Sequence, residues 1–177
     1  NPYVIKIAPG IYTETTSVVL KDYVDVEGSG QNITTINCAC SSNASNTGAA
    51  LSATVFAGNI VAEIRHLTIN NTGGGNNYST GVWTENVADG SFSMLHVTAT
   101  ATGGSDSNYG VVNVSSSSSS SSPSMTDVTA TATGSTNANV GVVNVSSSPS
   151  MNNVTATATG GTNNYGVFNE QSSLTMN

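Results

Sequence analysis

Small apolar residues alternate with threonine in Val128-Thr129-Ala130-Thr131-Ala132-Thr133, and the same six-residue pattern recurs from Val97 and from Val154. A period of two marks an extended strand, with valine and alanine on one face and threonine on the other. Each copy follows a methionine (Met94, Met125, Met151) and precedes a Gly-Val-x-Asn segment: Gly110 to Asn113, Gly141 to Asn144, Gly166 to Asn169. A degenerate copy begins at Ile60, where Arg65-His66-Leu67-Thr68 aligns with Leu95-His96-Val97-Thr98 and Gly81-Val82-Trp83-Thr84 with Gly110 to Asn113. The units recur every 25–31 residues, and the length differences fall in loops such as the serine run 115–122. This predicts stacked coils of a parallel β-solenoid, one repeat per coil. No segment keeps a 3.6-residue apolar period, so no substantial helix is expected.

Alternation also predicts which side chains face inward. Val97, Ala99, Ala101 and their copies should fill the core, each packed on its own counterpart about 4.7–4.9 Å away. Thr98, Thr100, Thr102, Thr129, Thr131, Thr133, Thr155, Thr157 and Thr159 should then form an outward array. In the second strand of the unit, Glu85 and Glu170 occupy equivalent positions, and a glutamate belongs outside. Trp83, Val112, Val143 and Phe168 share that parity, which predicts an outer apolar stripe suited to lateral self-association. Asn113, Asn144 and Asn169 have the opposite parity, with Val111, Val142 and Val167. An inward asparagine ladder satisfies each buried amide on the next coil.

Residues 1–59 read as less regular coils, and 60–177 as repeat coils of one β-helix domain. Short β-branched runs (Val4 to Ile7, Thr16 to Leu20, Thr34 to Ile36) are cut by Pro9-Gly10 and Gly28-Ser29-Gly30. Tyr3-Val4-Ile5-Lys6-Ile7-Ala8-Pro9-Gly10-Ile11-Tyr12-Thr13-Glu14, with Val24 to Gly30 and Thr34 to Ile36, resembles the opening coils of pectin methylesterase-like (pectin lyase-like) right-handed parallel β-helices. The later units resemble tandem coils of bacterial β-helix repeat proteins. The resemblance implies an all-β right-handed parallel β-helix and, in pectate-lyase-like relatives, the same asparagine ladder. It also implies two catalytic aspartates, oxyanion-stabilising glutamines and an arginine on neighbouring coils. The Gly-x-x-Asp-Phe and Gln-Asp-Thr segments are absent, the only arginine is Arg65, and the only glutamines are Gln31 and Gln171, so no catalytic residue maps. A polysaccharide lyase would need an acidic calcium cluster with a basic residue nearby. Asp106 and Asp127 lie in different segments, and no lysine or arginine follows Arg65.

Composition narrows the partners. Charged residues are 7% of the 177, against roughly 25% in ordinary soluble domains. The net charge of -7 repels polyanions, which argues against nucleic acid, and no apolar run is long enough for membrane insertion. Glu85 and Asp89, the close acidic pair of the repeats, read as solvated surface acids rather than a glycosidase pair. Cys38 and Cys40 fit neither a redox CxxC nor a zinc motif and are expected as two small buried hydrophobes. His66 and His96 occupy equivalent positions, a surface pair without a third recurring ligand, so no metal or other cofactor is expected. Seven sequons occur; with Asn113 and Asn144 inside, the glycosylation candidates are Asn32, Asn43, Asn70, Asn77 and Asn153. The start at Asn1 and the stop at Asn177, just as another repeat begins, read as cuts in a longer chain.

These readings converge on a non-catalytic, extracellular or cell-surface solenoid: a fibre, adhesin or spacer whose partners are itself or surface glycans. A carbohydrate-active β-helix enzyme, pectinesterase-like or lyase, is the alternative. An ice-binding Thr-x-Thr face, similar to insect β-solenoid antifreeze proteins, is the third.

Overall fold

Each strand of the computed structural model, which describes residues 3–43, 52–115 and 122–177, pairs in parallel with its own copy one coil away. The leading apolar positions form one rank, Ile64–Met94–Met125–Met151–Met176, with every neighbour in register. About four turns of 25–31 residues make up this repeat region. The first coil contributes β1 (Tyr3–Lys6), β2 (Gly10–Glu14) and β3 (Val18–Val19), and the second β4 (Val24–Glu27), β5 (Thr34–Cys38) and β6 (Ala53–Ala57). Two longer strands per coil follow: β7 (Ala62–Asn71) with β8 (Tyr78–Glu85), β9 (Phe92–Ala101) with β10 (Ser107–Val114), and β11 (Ser124–Thr133) with β12 (Ala138–Val145). In the next coil the first strand is split into β13 (Ser150–Asn152) and β14 (Thr155–Thr159), before β15 (Asn163–Glu170); β16 (Thr175–Met176) follows. The strands stack into a ten-stranded and a six-stranded sheet, here sheets A and B. The N-terminal strands extend both: Val26 pairs with Ile64, Thr35 with Thr68, and Val55 with Val82.

Between the sheets lies the core. Val97, Ala99, Val128 and Ala130 from sheet A meet Val82, Val111 and Val142 from sheet B, all essentially without solvent contact. Val154, Ala156 and Ala158 continue the ranks in the last coil, where they are half-buried. Burying one such valine is worth about 1.5–3 kcal/mol, and stacking identical side chains repeats the gain at every coil.

The glycine that opens each Gly-Val pair is explained by the distance between sheets. A Cβ on Gly110 would lie 2.6 Å from Gly141 O and 2.8 Å from Thr131 N on the facing sheet. Gly141 has the same constraint against Gly166 O and Thr157 N. Only glycine fits where two backbones approach this closely. The ladder skips the glycine, since Tyr109 pairs with Val140 and the next pair is Val111 with Val142. Strict alternation therefore fails there: Asn108 and Val111 both lie inside although their numbers differ in parity.

Sheet A turns a corner at one residue per coil, His66, His96, Asp127 and Asn153, each with φ between 51° and 57°. Histidine, aspartate and asparagine are among the non-glycine residues best suited to this left-handed conformation. The histidine pair is thus first a backbone device. Cys38 and Cys40 are a correction. They are buried as expected, yet they form a disulfide with each other. Where β5 ends at Cys38 the chain bends out of the extended form, and the two Cα atoms are only 5.2 Å apart, within reach of a bridge.

Candidate functional site

The predicted inward asparagines form a continuous hydrogen-bonded column. Thr84 Oγ1 donates to Asn113 Oδ1, Asn113 Nδ2 to Asn144 Oδ1, and Asn144 Nδ2 to Asn169 Oδ1, each at 2.8 Å. Thr84, Asn113 and Asn144 are fully buried, while Asn169, in the last coil, is exposed. A second column went unread in the sequence. Ser79 Oγ donates to Asn108 Oδ1, and Asn108 and Asn139 pass the pattern on to Asn164 at 3.4 Å per step. Its signal was present, an Asn two residues before each glycine, but uninterrupted alternation from Val112 assigns Asn108 to the outside. Both columns are structural, since their polar atoms are consumed within the stack.

The outer face of sheet B departs from expectation. Trp83, Val112 and Val143 do project away from the core cluster, but they are not an exposed stripe: their exposures are 3%, 3% and 5%. They join Ala53, Tyr109 and Val140 in a second apolar cluster, flanked by Phe56, Tyr78, Val114 and Val145. Along the rank Trp83 pairs with Val112 and Val112 with Val143, and the Tyr109–Val140 pair lies in the same cluster. Burial pushes the Tyr109 hydroxyl pKa up, partly opposed by its hydrogen bond with Ser107. Phe168, 37% exposed, and Tyr165 leave the rank open in the last coil, with their rings 5.7 Å apart. Trp83 Nε1 is buried and is the one such side-chain atom without a hydrogen-bond partner among the described residues.

On sheet A the threonines form outward ranks. Thr98, Thr129 and Thr155 are paired across three coils, as are Thr100, Thr131 and Thr157. Thr133 pairs with Thr159, and Thr102 follows the end of β9. Thr102 differs from the two complete ranks, because its hydroxyl donates to Asn71 O.

Charge is concentrated in the N-terminal coils. Arg65 is hydrogen-bonded to Glu63 and, at 2.9 Å, to Glu27; Asp25 lies 4.0 Å away, and Lys6 is 3.6 Å from Glu27. The hydrogen bond from Arg65 holds the Glu27 pKa below the usual carboxylate value, and hydrogen bonds to Glu63 and then Glu27 raise that of Arg65. Further contacts tie this cluster to neighbouring coils: Asp25 Oδ1 accepts the Glu63 N–H, and Glu63 Oε2 accepts Ser93 Oγ. Glu85 is half-buried and Asp89 exposed.

At the corner of sheet A the His66 and His96 rings stack at 5.0 Å, His96 Nε2 lies 3.0 Å from Asp127 Oδ2, and Asn153 Nδ2 donates to Asp127 Oδ1. No three His, Cys, Asp or Glu side chains converge as a metal site among the described residues. Of the sequons, Asn32, Asn43, Asn77 and Asn153 are exposed. Asn70 is half-buried and donates its amide to Asn37 Oδ1 at 3.2 Å. Among the described residues no helix is long and apolar enough to cross a membrane.

Together these features define the class of protein: a parallel β-solenoid with ladder-stacked coils. No family model and no curated protein matches the chain. Among solved structures it is similar to the pectin methylesterase from carrot, with 16% identity, a TM-score of 0.56, and 93% of this chain and 55% of that one covered. It is also similar to the pectin methylesterase from Yersinia enterocolitica, with 18% identity, a TM-score of 0.53, and coverage of 86% and 50%. The chain thus spans about half the length of those enzymes and has their pectin lyase-like fold, right-handed as theirs is.

Proposed function

We propose that this chain is a non-catalytic solenoid segment of an extracellular or cell-surface protein, working as a fibre, adhesin or spacer through its surface. The carrying observation is the state of its carboxylates. Asp25, Glu27 and Glu63, the acids that cluster, are engaged by Arg65, Lys6, Ser93 and a backbone amide. An acid–base pair must instead present one free carboxylate and one raised pKa to a substrate. The Cys38–Cys40 disulfide supports a location in an oxidising compartment. The reading also accounts for the ladders, which spend polar groups on rigidity.

The fold likeness to pectin methylesterases supports the competing reading, a carbohydrate-active enzyme. Incubation with methyl-esterified pectin and with polygalacturonate should release neither methanol nor shorter chains. Turnover that disappears in Glu27→Gln, Glu63→Gln or Glu85→Gln would overturn the non-catalytic reading.

A further inference from the structure

The two complete threonine ranks of sheet A form a binding face that the ladders and the disulfide do not explain. Six hydroxyls, on Thr98, Thr100, Thr129, Thr131, Thr155 and Thr157, have no hydrogen-bond partner among the described residues. Their neighbours contrast with them. Thr68, one coil earlier, accepts the Asn32 N–H, and Thr72 and Thr102 donate to backbone carbonyls. The face therefore begins where protein hydrogen bonding of threonine ends.

Its geometry repeats in two directions. Coils are spaced about 4.7–4.9 Å apart, and alternate residues along a strand about 6.6–6.8 Å apart. The coil spacing is near the shorter repeat of oxygen rows in hexagonal ice, while the alternate-residue spacing falls short of the longer one, so the match rests on the coil direction. Threonine is stiff at its first side-chain torsion, and the strands beneath are laddered in register to their neighbours. Little side-chain entropy is left to lose when the hydroxyls are fixed, which lowers the cost of binding an ordered partner. No charged residue lies within the ranks, so no ionic hydration shell competes with a water lattice. The methyl groups between the hydroxyls add a regular apolar element that favours ordered water over bulk.

We infer that the Thr98–Thr157 face of sheet A binds ice. The inference goes beyond the surface-acting reading, and the two can fail separately, because an inactive ice face would leave the pectin result unchanged. The chain is added to polycrystalline ice in a recrystallisation assay and to a single crystal in a thermal-hysteresis measurement. The expected result is slowed grain growth and a measurable hysteresis gap. Thr131→Tyr places a bulky side chain at the centre of the face and should reduce recrystallisation inhibition at least tenfold while leaving the circular dichroism and melting temperature unchanged. Thr126→Tyr, outward on the same strand but before the Asp127 corner, should leave ice activity intact. Absence of ice activity in the parent chain, or equal activity in the parent and a folded Thr131→Tyr variant, would overturn the inference. An equal loss in a folded Thr126→Tyr variant would do so too.

Discussion

The outer faces of the two sheets are built by the same rule and end in opposite states. Both repeat one equivalent position per coil along an in-register rank. On sheet A the repeated residue is threonine, and the ranks reach solvent with unpaired hydroxyls. On sheet B the repeated residues are Trp83, Val112 and Val143, which belong to a second buried apolar cluster. Stacking multiplies whatever a single position holds. A small polar residue becomes a polar face, and a large apolar one becomes part of a second apolar cluster, each copy packing on the next across less than 5 Å. Outward parity therefore does not by itself mean exposure in a solenoid.

The largest effect should come from emptying the sheet B rank. Trp83→Ala is expected to cost about 3–5 kcal/mol in denaturant unfolding, as for a core tryptophan. Trp83→Phe should cost less than about 1.5 kcal/mol, because Phe56 pairs directly with this position and the unpartnered Nε1 donor is removed. If Trp83→Ala proves nearly silent, that cluster is not a second core. Next in size is the asparagine column. Asn144→Ala strands the buried Asn113 amide and should cost about 1–3 kcal/mol, whereas Asn169→Ala, at an exposed rung, should cost less than Asn144→Ala.

Titration separates the charged coils from the apolar face. Glu27 has a pKa lowered from 4.5, so its stabilising contribution is present above that value and lost as pH falls through the folded-state pKa. Melting temperatures of the parent and Glu27→Gln should differ at neutral pH and converge in acid. Tyr109 has a pKa raised from 10.0, so its neutral form is favoured in the folded state and stability should fall as pH rises above 10.0. A Tyr109→Phe variant should lose less stability than the parent over that alkaline range. The smallest expected effect is at the threonine face, where Thr131→Ala should change stability by less than about 0.5 kcal/mol. The contrast with Trp83→Ala would show how far two outward ranks differ.

Much of this architecture was legible because repetition exposes it. The recurring Met, Val-Thr-Ala-Thr and Gly-Val-x-Asn segments fixed the strand register residue by residue, and the observed pairings Met94–Met125, Ala99–Ala130 and Asn113–Asn144 follow it. Glu85 and Glu170 were enough to orient the second strand, since a carboxylate cannot be buried unpaired at small cost. The pattern of the candidate ice face was equally plain. Its contrast in hydrogen bonding, with Thr68 and Thr102 partnered and Thr100 and Thr131 not, was not written in any repeat.

By itself the sequence determined the class of fold, the period, and which of Val97, Thr98, Val111 and Asn113 lie inside or outside. Identical residues stacked on identical residues leave one consistent register. The tertiary structure alone decided four things. Gly110 reverses the alternation because the facing sheet lies too close for a Cβ, and that reversal brings Asn108 inside to build the second column. Trp83 is buried in a second apolar cluster although its parity points it away from the core. Cys38 and Cys40 are joined because the chain bends at the end of β5. Arg65, two residues from Glu63 on β7, also reaches Glu27 because stacking sets positions 38 residues apart side by side. Except for the local Cys38–Cys40 bend, each depends on a distance between backbones that are neighbours in space and remote along the chain, and residue pattern carries no measure of that distance.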